Sequence, residues 1–198
     1  MPQVKHATTC KLLAYKGQYK TCHIGIPQAE GKRIAVAVDG RYFRFFRRFD
    51  TAQQVMAVAE RLAQRGSDFA LTESFKDNKK GYRVWLYTPN VENVTTEALD
   101  GPLRLPVYGP SPCFMIFDQA HYRPCYIKVP DLPQPRVAIY YDKRFYSVCG
   151  KGLSAVSALE LGQKLVGRGD EVAIASTDQT YVVCLWEPEA IPYQPPKT

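Results

Sequence analysis

Few residues in this 198-residue chain stand at spacings that could do chemistry, and the cysteines come first. Cys10 and Cys22 lie equally far from Lys16, and Cys113 and Cys125 equally far from Gln119. If each pair flanks a hairpin turn, its two thiols are cross-strand neighbours with Cβ atoms about 4.5–5.5 Å apart. Three chemistries fit that placement. The pairs are small buried side chains filling a tight spot, or each forms a redox-sensitive disulfide, or all four thiolates share a zinc ion. The zinc reading is the weakest, because the common structural sites space their cysteines two to four residues apart. Cys10, Cys22, Cys113 and Cys125 are therefore the candidate redox thiols, and no metal is expected. Cys149 and Cys184 align with Phe46 and Trp85 of an earlier segment, an exchange that assigns them to the core.

No catalytic constellation accompanies the thiols. The three histidines, His6, His23 and His121, form no metal-spaced cluster. There is no nucleophile elbow, phosphate-binding P-loop or dinucleotide fingerprint. Gly150-Lys151-Gly152-Leu153-Ser154 before a helix faintly suggests an anion-binding helix start. Asp39 with Arg41, and Asp142 with Arg144, recur at matching turns. Asp stabilises such turns through its own backbone, and the nearby Arg can pair with it. Structure explains these residues better than catalysis, so the expectation is a protein that is not an enzyme and uses no cofactor.

Arg41–Phe49, Arg-Tyr-Phe-Arg-Phe-Phe-Arg-Arg-Phe, is the most unusual segment. As a strand it would bury one aromatic face and leave a basic surface with exposed rings on the other. Arg44, Arg47 and Arg48, with Lys76, Lys79, Lys80 and Arg83, are the candidate partner-binding residues. Arginine and aromatic side chains are enriched where proteins meet, so an acidic protein groove is the preferred partner. Single-stranded RNA or DNA is the alternative, with charge tracking phosphates and rings stacking on bases. A third reading is a solvated strand whose arginines prevent unwanted pairing.

The elements that must hold these residues occur twice. Sliding residues 10–75 forward by 103 positions aligns fourteen of sixty-six as identical, among them Cys10/Cys113, Cys22/Cys125, Asp39/Asp142, Arg41/Arg144 and Gly66/Gly169. After a four-residue shortening, Tyr82, Val84, Leu86 and Pro89 match Tyr181, Val183, Leu185 and Pro188. A fixed-offset match of this length predicts a tandem duplication of a roughly 95-residue unit. Each unit reads as two β-hairpins, one helix and one β-hairpin, an α+β class with a mainly antiparallel sheet. The expected hairpin turns are Lys16-Gly17 and Asp39-Gly40. The first helix is expected over about 51–65, capped by Asp50 with Gln53, and ended by Gly66. Its core stripe is Val55, Ala59 and Leu62. The second helix is expected near 154–167, burying Ala158, Leu165 and Val166.

The boundaries that follow are 1–97 for the first repeat, 98–109 for a linker, 110–187 for the second repeat and 188–198 for a Pro-rich tail. Packing of the two units as a pseudo-two-fold pair is expected. The formal charge of +7 is uneven. Residues 1–105 carry seventeen Lys and Arg against ten Asp and Glu, whereas residues 106–198 carry nine of each. The excess lies wholly in the first unit, which points to regulation or adaptor work through a basic patch there. No apolar run approaches the roughly 18 residues that cross a membrane, and the start lacks a secretory leader. No membrane insertion and a cytoplasmic location are the expectations, with Asn93 left unglycosylated. Oligomeric state is not specified by the sequence.

Overall fold

A computed structural model describes residues 8–96 and 110–195 of the chain. Alternating apolar and polar positions set the strands, and a lengthened apolar period sets two helices. In chain order these are β1 (Thr9–Leu13), β2 (Lys20–Gly25), β3 (Arg33–Val38), β4 (Arg41–Phe49), α1 (Ala52–Gln64), β5 (Phe69–Lys76), β6 (Lys79–Tyr87) and β7 (Glu92–Thr96). The second half follows with β8 (Cys113–Ile116), β9 (Arg123–Lys128), β10 (Arg136–Tyr141), β11 (Arg144–Leu153), α2 (Ala155–Gly167), β12 (Val172–Ser176), β13 (Tyr181–Trp186) and β14 (Ile191–Tyr193). The class is α+β, a mostly antiparallel sheet with two helices. The expected linker, 98–109, lies outside the described residues.

All fourteen strands join one sheet in the order β14-β9-β10-β11-β13-β12-β8-β1-β5-β6-β4-β3-β2-β7. β1 and β8 meet antiparallel at its middle, with Cys10 opposite Cys113. Outward from that seam the registers agree at the 103-residue spacing. Cys10 lies opposite Phe69 in a parallel pair, and Cys113 opposite Val172 likewise. The ladder of β4 with β6 slips between Phe45 and Arg47, and that of β11 with β13 between Val148 and Gly150.

Helix α1 buries Val55, Met56, Ala59 and Leu62, and α2 buries Ala158, Leu159, Leu165 and Val166. Both lie over one face of the sheet, where Cys10, Leu12, Phe69, Leu71, Cys113 and Ile174 complete a shared core. α2 lies especially close: a Cβ at Gly162 would stand 2.9 Å from Ile174 Cδ1 and 3.1 Å from Leu12 Cδ1. The opposite face carries one smaller core per half, around Phe43 and Trp85 in the first and Tyr146 and Cys184 in the second.

Several expectations are corrected. β1 and β2 are not a hairpin. Gly17 does not take the positive φ that a two-residue hairpin turn needs; residues 16–18 form a 3-10 turn whose Gln18 Oε1 accepts from the Ala14 and Tyr15 amides at 2.8 and 3.2 Å. The chain leaves β1 and rejoins the sheet five strands away as β2. Cys10 and Cys22 are thus not neighbours, nor are Cys113 and Cys125; Cys22 faces Ala35 and Cys125 faces Ala138. Cys184 is buried as expected, but Cys149 is exposed. The α1 cap is Thr51, whose Oγ1 accepts from the Gln54 amide at 3.3 Å, while Asp50 pairs with Arg48. Gly150–Leu153 extend β11 instead of forming an anion loop, and Ser154 Oγ caps α2. Two strands were missing from the sequence reading: β7, and β14 within the Pro-rich tail.

The Asp39–Arg41 pairing is also replaced. Asp39 binds Lys11 at 2.9 Å, and Arg41 reaches Asp68 at 2.5 Å with its guanidinium 4.0 Å from the Tyr87 ring centre. The second half repeats the clamp with Arg144, Glu171 and Trp186, at 2.6 and 4.9 Å. There the Tyr146 hydroxyl also donates to Glu171 at 2.8 Å; Phe43 holds the matching place and lacks a hydroxyl. Removing one hydrogen bond to a largely buried carboxylate that keeps its arginine is worth about 1.5 kcal/mol. Tyr146→Phe is expected to lower urea-unfolding stability by about that amount without changing the m-value.

Burial also shapes the thiols. Cys10 is pushed up by burial and by the facing Cys113, Cys113 by burial, and Cys184 by burial and Cys149 up to about 12. Each is an acid whose proton the folded state holds above the unfolded value of 9.0. Their contribution is full below pH 9 and falls as pH climbs towards about 12. Unfolding titrations are expected to show that alkaline loss. A thiol reagent at neutral pH should label Cys149 first and reach Cys10, Cys22, Cys113 and Cys184 only on unfolding.

Candidate functional site

The Arg-Tyr-Phe-Arg-Phe-Phe-Arg-Arg-Phe segment becomes β4, held between β3 and β6. It is an interior strand, so its side chains divide between two separate faces of the sheet. Register decides the division. Arg44 lies opposite Leu86, which in turn lies opposite Phe69 of the helix-side core. Arg47 lies opposite buried Val84 on that same face. Phe45 lies opposite Trp85, and Arg48 opposite Arg83, both on the other face. The irregularity between Phe45 and Arg47 leaves Phe46 without a partner across the ladder, the usual effect of a bulge.

The aromatic residues split accordingly. Phe43 is 1% exposed and anchors the smaller core of this half. Phe45 is 40% exposed and meets Trp85 edge-on at 5.4 Å. Phe46, at the bulge, is 45% exposed. The counterpart strand offers Ser147, Val148 and Cys149 at the places of Arg44, Phe45 and Phe46, so neither its charge nor its rings correspond.

The expected basic cluster is not one surface. Arg44 and Arg47 stand exposed on the helix side, and neither has a carboxylate partner among the described residues. Arg47 does pack over the Phe49 ring at 5.6 Å. Arg83 and Lys79 are exposed on or near the opposite face. Arg48 is committed to structure: it pairs with Asp50, donates to Ser74 Oγ at 3.2 Å and reaches the Lys79 carbonyl at 3.5 Å. Lys80 is committed as well, to Glu73 at 2.8 Å and to Glu160 of α2 at 3.0 Å. Partial burial works against its charge, but the two carboxylates still hold Lys80 above the ordinary lysine value. Lys76 lies at the end of β5.

Two exposed positions near this segment were not singled out from the sequence. β5 and β6 run further than expected and turn at Asp77-Asn78, both at positive φ. That hairpin carries Phe75, 69% exposed, beside the paired Lys80. Tyr87, on β6, is half-exposed and lies 5.7 Å from Phe43. Continuation of β5 and β6 past Ser74 and Gly81 is what places Phe75 on the sheet.

The candidate redox thiols are likewise dispersed. Cys10 and Cys113 share the central seam, whereas Cys22 and Cys125 lie in β2 and β9 towards opposite edges. No group of three or more His, Cys, Asp or Glu residues among the described residues could hold a metal ion. No helix there is long and apolar enough to cross a membrane.

Comparison with known proteins finds no matching family model, no matching curated protein and no matching solved structure.

Proposed function

We propose that this protein is a non-enzymatic adaptor or regulator that binds an acidic protein partner on the helix-side face of β4. One observation carries the reading: Arg44 and Arg47 are exposed and unpaired with carboxylates among the described residues, flanking the half-exposed Phe46. A guanidinium fork offers a carboxylate two parallel donors, and an exposed ring at the adjoining bulge can supply an apolar anchor. Placing Arg44 and Arg47 in an ordered strand lowers the entropy that binding would otherwise cost. Arg83 and Lys79, on the other side of the sheet, lie outside this surface.

In this reading the halves are copies of one unit of roughly 95 residues, packed as a pseudo-two-fold pair. Matched registers, matched bulges and the repeated arginine clamp support it. The copy with the charge does the binding, and the other completes the scaffold. A cytoplasmic location belongs to the same proposal. The exposed Phe46 ring also favours single-stranded nucleic acid as a second reading for this face, with rings stacking on bases.

The faces give the test its contrast. Affinity capture from nuclease-treated lysate should recover a specific acidic protein with wild type and with Arg83→Glu/Lys79→Glu, but not with Arg44→Glu/Arg47→Glu. Equal capture by both variants, or none by wild type, contradicts the proposal. Titration with a labelled single strand at two salt concentrations decides the second reading. Tight binding that weakens steeply with salt and is lost only in Arg44→Glu/Arg47→Glu transfers the face to nucleic acid.

A further inference from the structure

The two halves part company most clearly at the C-terminal ends of their helices. Between the end of α1 and the segment after β8 opens a cleft of about 750 Å3, lined by Gln64, Met115, Phe117, Asp118, His121 and Asp142 among others. Its volume falls within the range of about 300–1,000 Å3 usual for small-molecule sites, and it lies where two halves meet, a common place for one. None of its lining residues belongs to β4.

The matching place in the first half is filled. Tyr15 stands 103 residues before Asp118, and Gly167 of α2 stands 103 after Gln64. The Tyr15 ring packs directly on that helix end: a Cβ at Gly167 would lie 2.9 Å from Tyr15 Cε2 and 3.0 Å from its hydroxyl oxygen. The glycine thus makes room for a ring that lies against the helix end, 56% exposed, in the place that Asp118 leaves open in the second half. In the second half the ring is replaced by a short carboxylate and the glycine by glutamine.

The neighbouring charge is also uncovered. In the first half, Lys11 Nζ neutralises Asp39 at 2.9 Å. The residue matching Lys11 is Phe114, which packs against the Tyr141 and Tyr146 rings at 6.0 and 6.4 Å. Asp142, the match of Asp39, therefore has no ion pair among the described residues. Asp118 Oδ1 accepts from the Ala120 amide at 2.9 Å, and its other oxygen lies 3.8 Å from His121 Nε2. The cleft combines an apolar wall of Met115 and Phe117 with two carboxylates that, among the described residues, carry no lysine or arginine.

From this geometry we propose that the cleft binds a small organic cation, an ammonium group on an apolar stem. Met115 and Phe117 take the stem, and Asp118 and Asp142 take the ammonium. The site is independent of the β4 surface, so either can fail without the other.

The test uses the full chain, titrated with benzylamine and with benzyl alcohol, its uncharged analogue, and followed by NMR. Benzylamine should saturate, shifting Met115 and Phe117 signals, and should bind about fivefold or more tighter than benzyl alcohol, about what one solvated ion pair contributes. Asp142→Asn should remove most of that preference while leaving the fold unchanged. Asp118→Tyr with Gln64→Gly rebuilds the closed arrangement of the first half and should abolish binding. Equal affinity for the two probes, no saturable shift with benzylamine, or undiminished binding in the rebuilt variant overturns the proposal. If the double variant does not fold, the two-probe comparison and Asp142→Asn still decide the matter.

Discussion

Everything in this molecule depends on a short antiparallel contact at the middle of its sheet, where Cys10 of β1 meets Cys113 of β8. The ladder there spans only Thr9–Phe114 and Cys10–Cys113, too few pairs to hold two halves alone. What completes the seam is the helical layer. α1 packs on β8 and on α2, and α2 packs on β1, so each helix also covers the other half's central strand. Small, fully buried thiols suit this position, since they leave the helices free to close over the seam. Lys11 to the Pro110 carbonyl and Lys80 to Glu160 tie the margins.

A scaffold with matched halves places equivalent positions in equivalent surroundings, and the places where side chains differ then stand out. The arginine clamps are retained, with Asp68 exchanged for Glu171 and Phe43 for Tyr146, and both versions keep the arginine paired with a carboxylate. By contrast, Arg44, Phe46 and Arg47 are matched on β11 by Ser147, Cys149 and Gly150, and Tyr15 is matched by Asp118. One difference adds a basic aromatic face to the first half. The other opens an acidic-rimmed cleft in the second. Neither disturbs the strand registers, which agree on both sides of the seam at these places.

Local chemistry was readable in the sequence wherever local chemistry decides the outcome. Gly66 and Gly169 take the positive φ expected of helix ends, the α1 stripe is buried, and Asp39-Gly40 turns as a hairpin. Long-range pairing was not readable in that way. Lys16-Gly17 resembles a hairpin turn, but β1 is claimed by β5 and β8, and a turn dipeptide carries no information about that competition. The expected pairing of cysteines along the chain therefore fails: Cys10 meets Cys113 across the seam, while Cys22 and Cys125 face alanines of β3 and β10. Strands β7 and β14 are short, proline-flanked edge strands whose residues alternate weakly, so their signal was lost among turn formers. For the proposed binding face, composition drew attention to the strand that became β4 but did not reveal the division of its charges. That division follows from β4 being interior, a property of sheet order alone. The cleft could have been found from Tyr15 standing 103 residues before Asp118, but a difference between aligned positions has no meaning until the fold shows what the ring packs against.

Native-state hydrogen exchange of the intact chain tests the central seam most directly. The amides that β1 and β8 commit to the sheet should be among the slowest to exchange, opening only with global unfolding and with the same free energy in both strands. Rapid exchange of either strand while β5, β6, β12 and β13 remain protected would contradict the account, because it would mean that the halves stand without the contact that joins them.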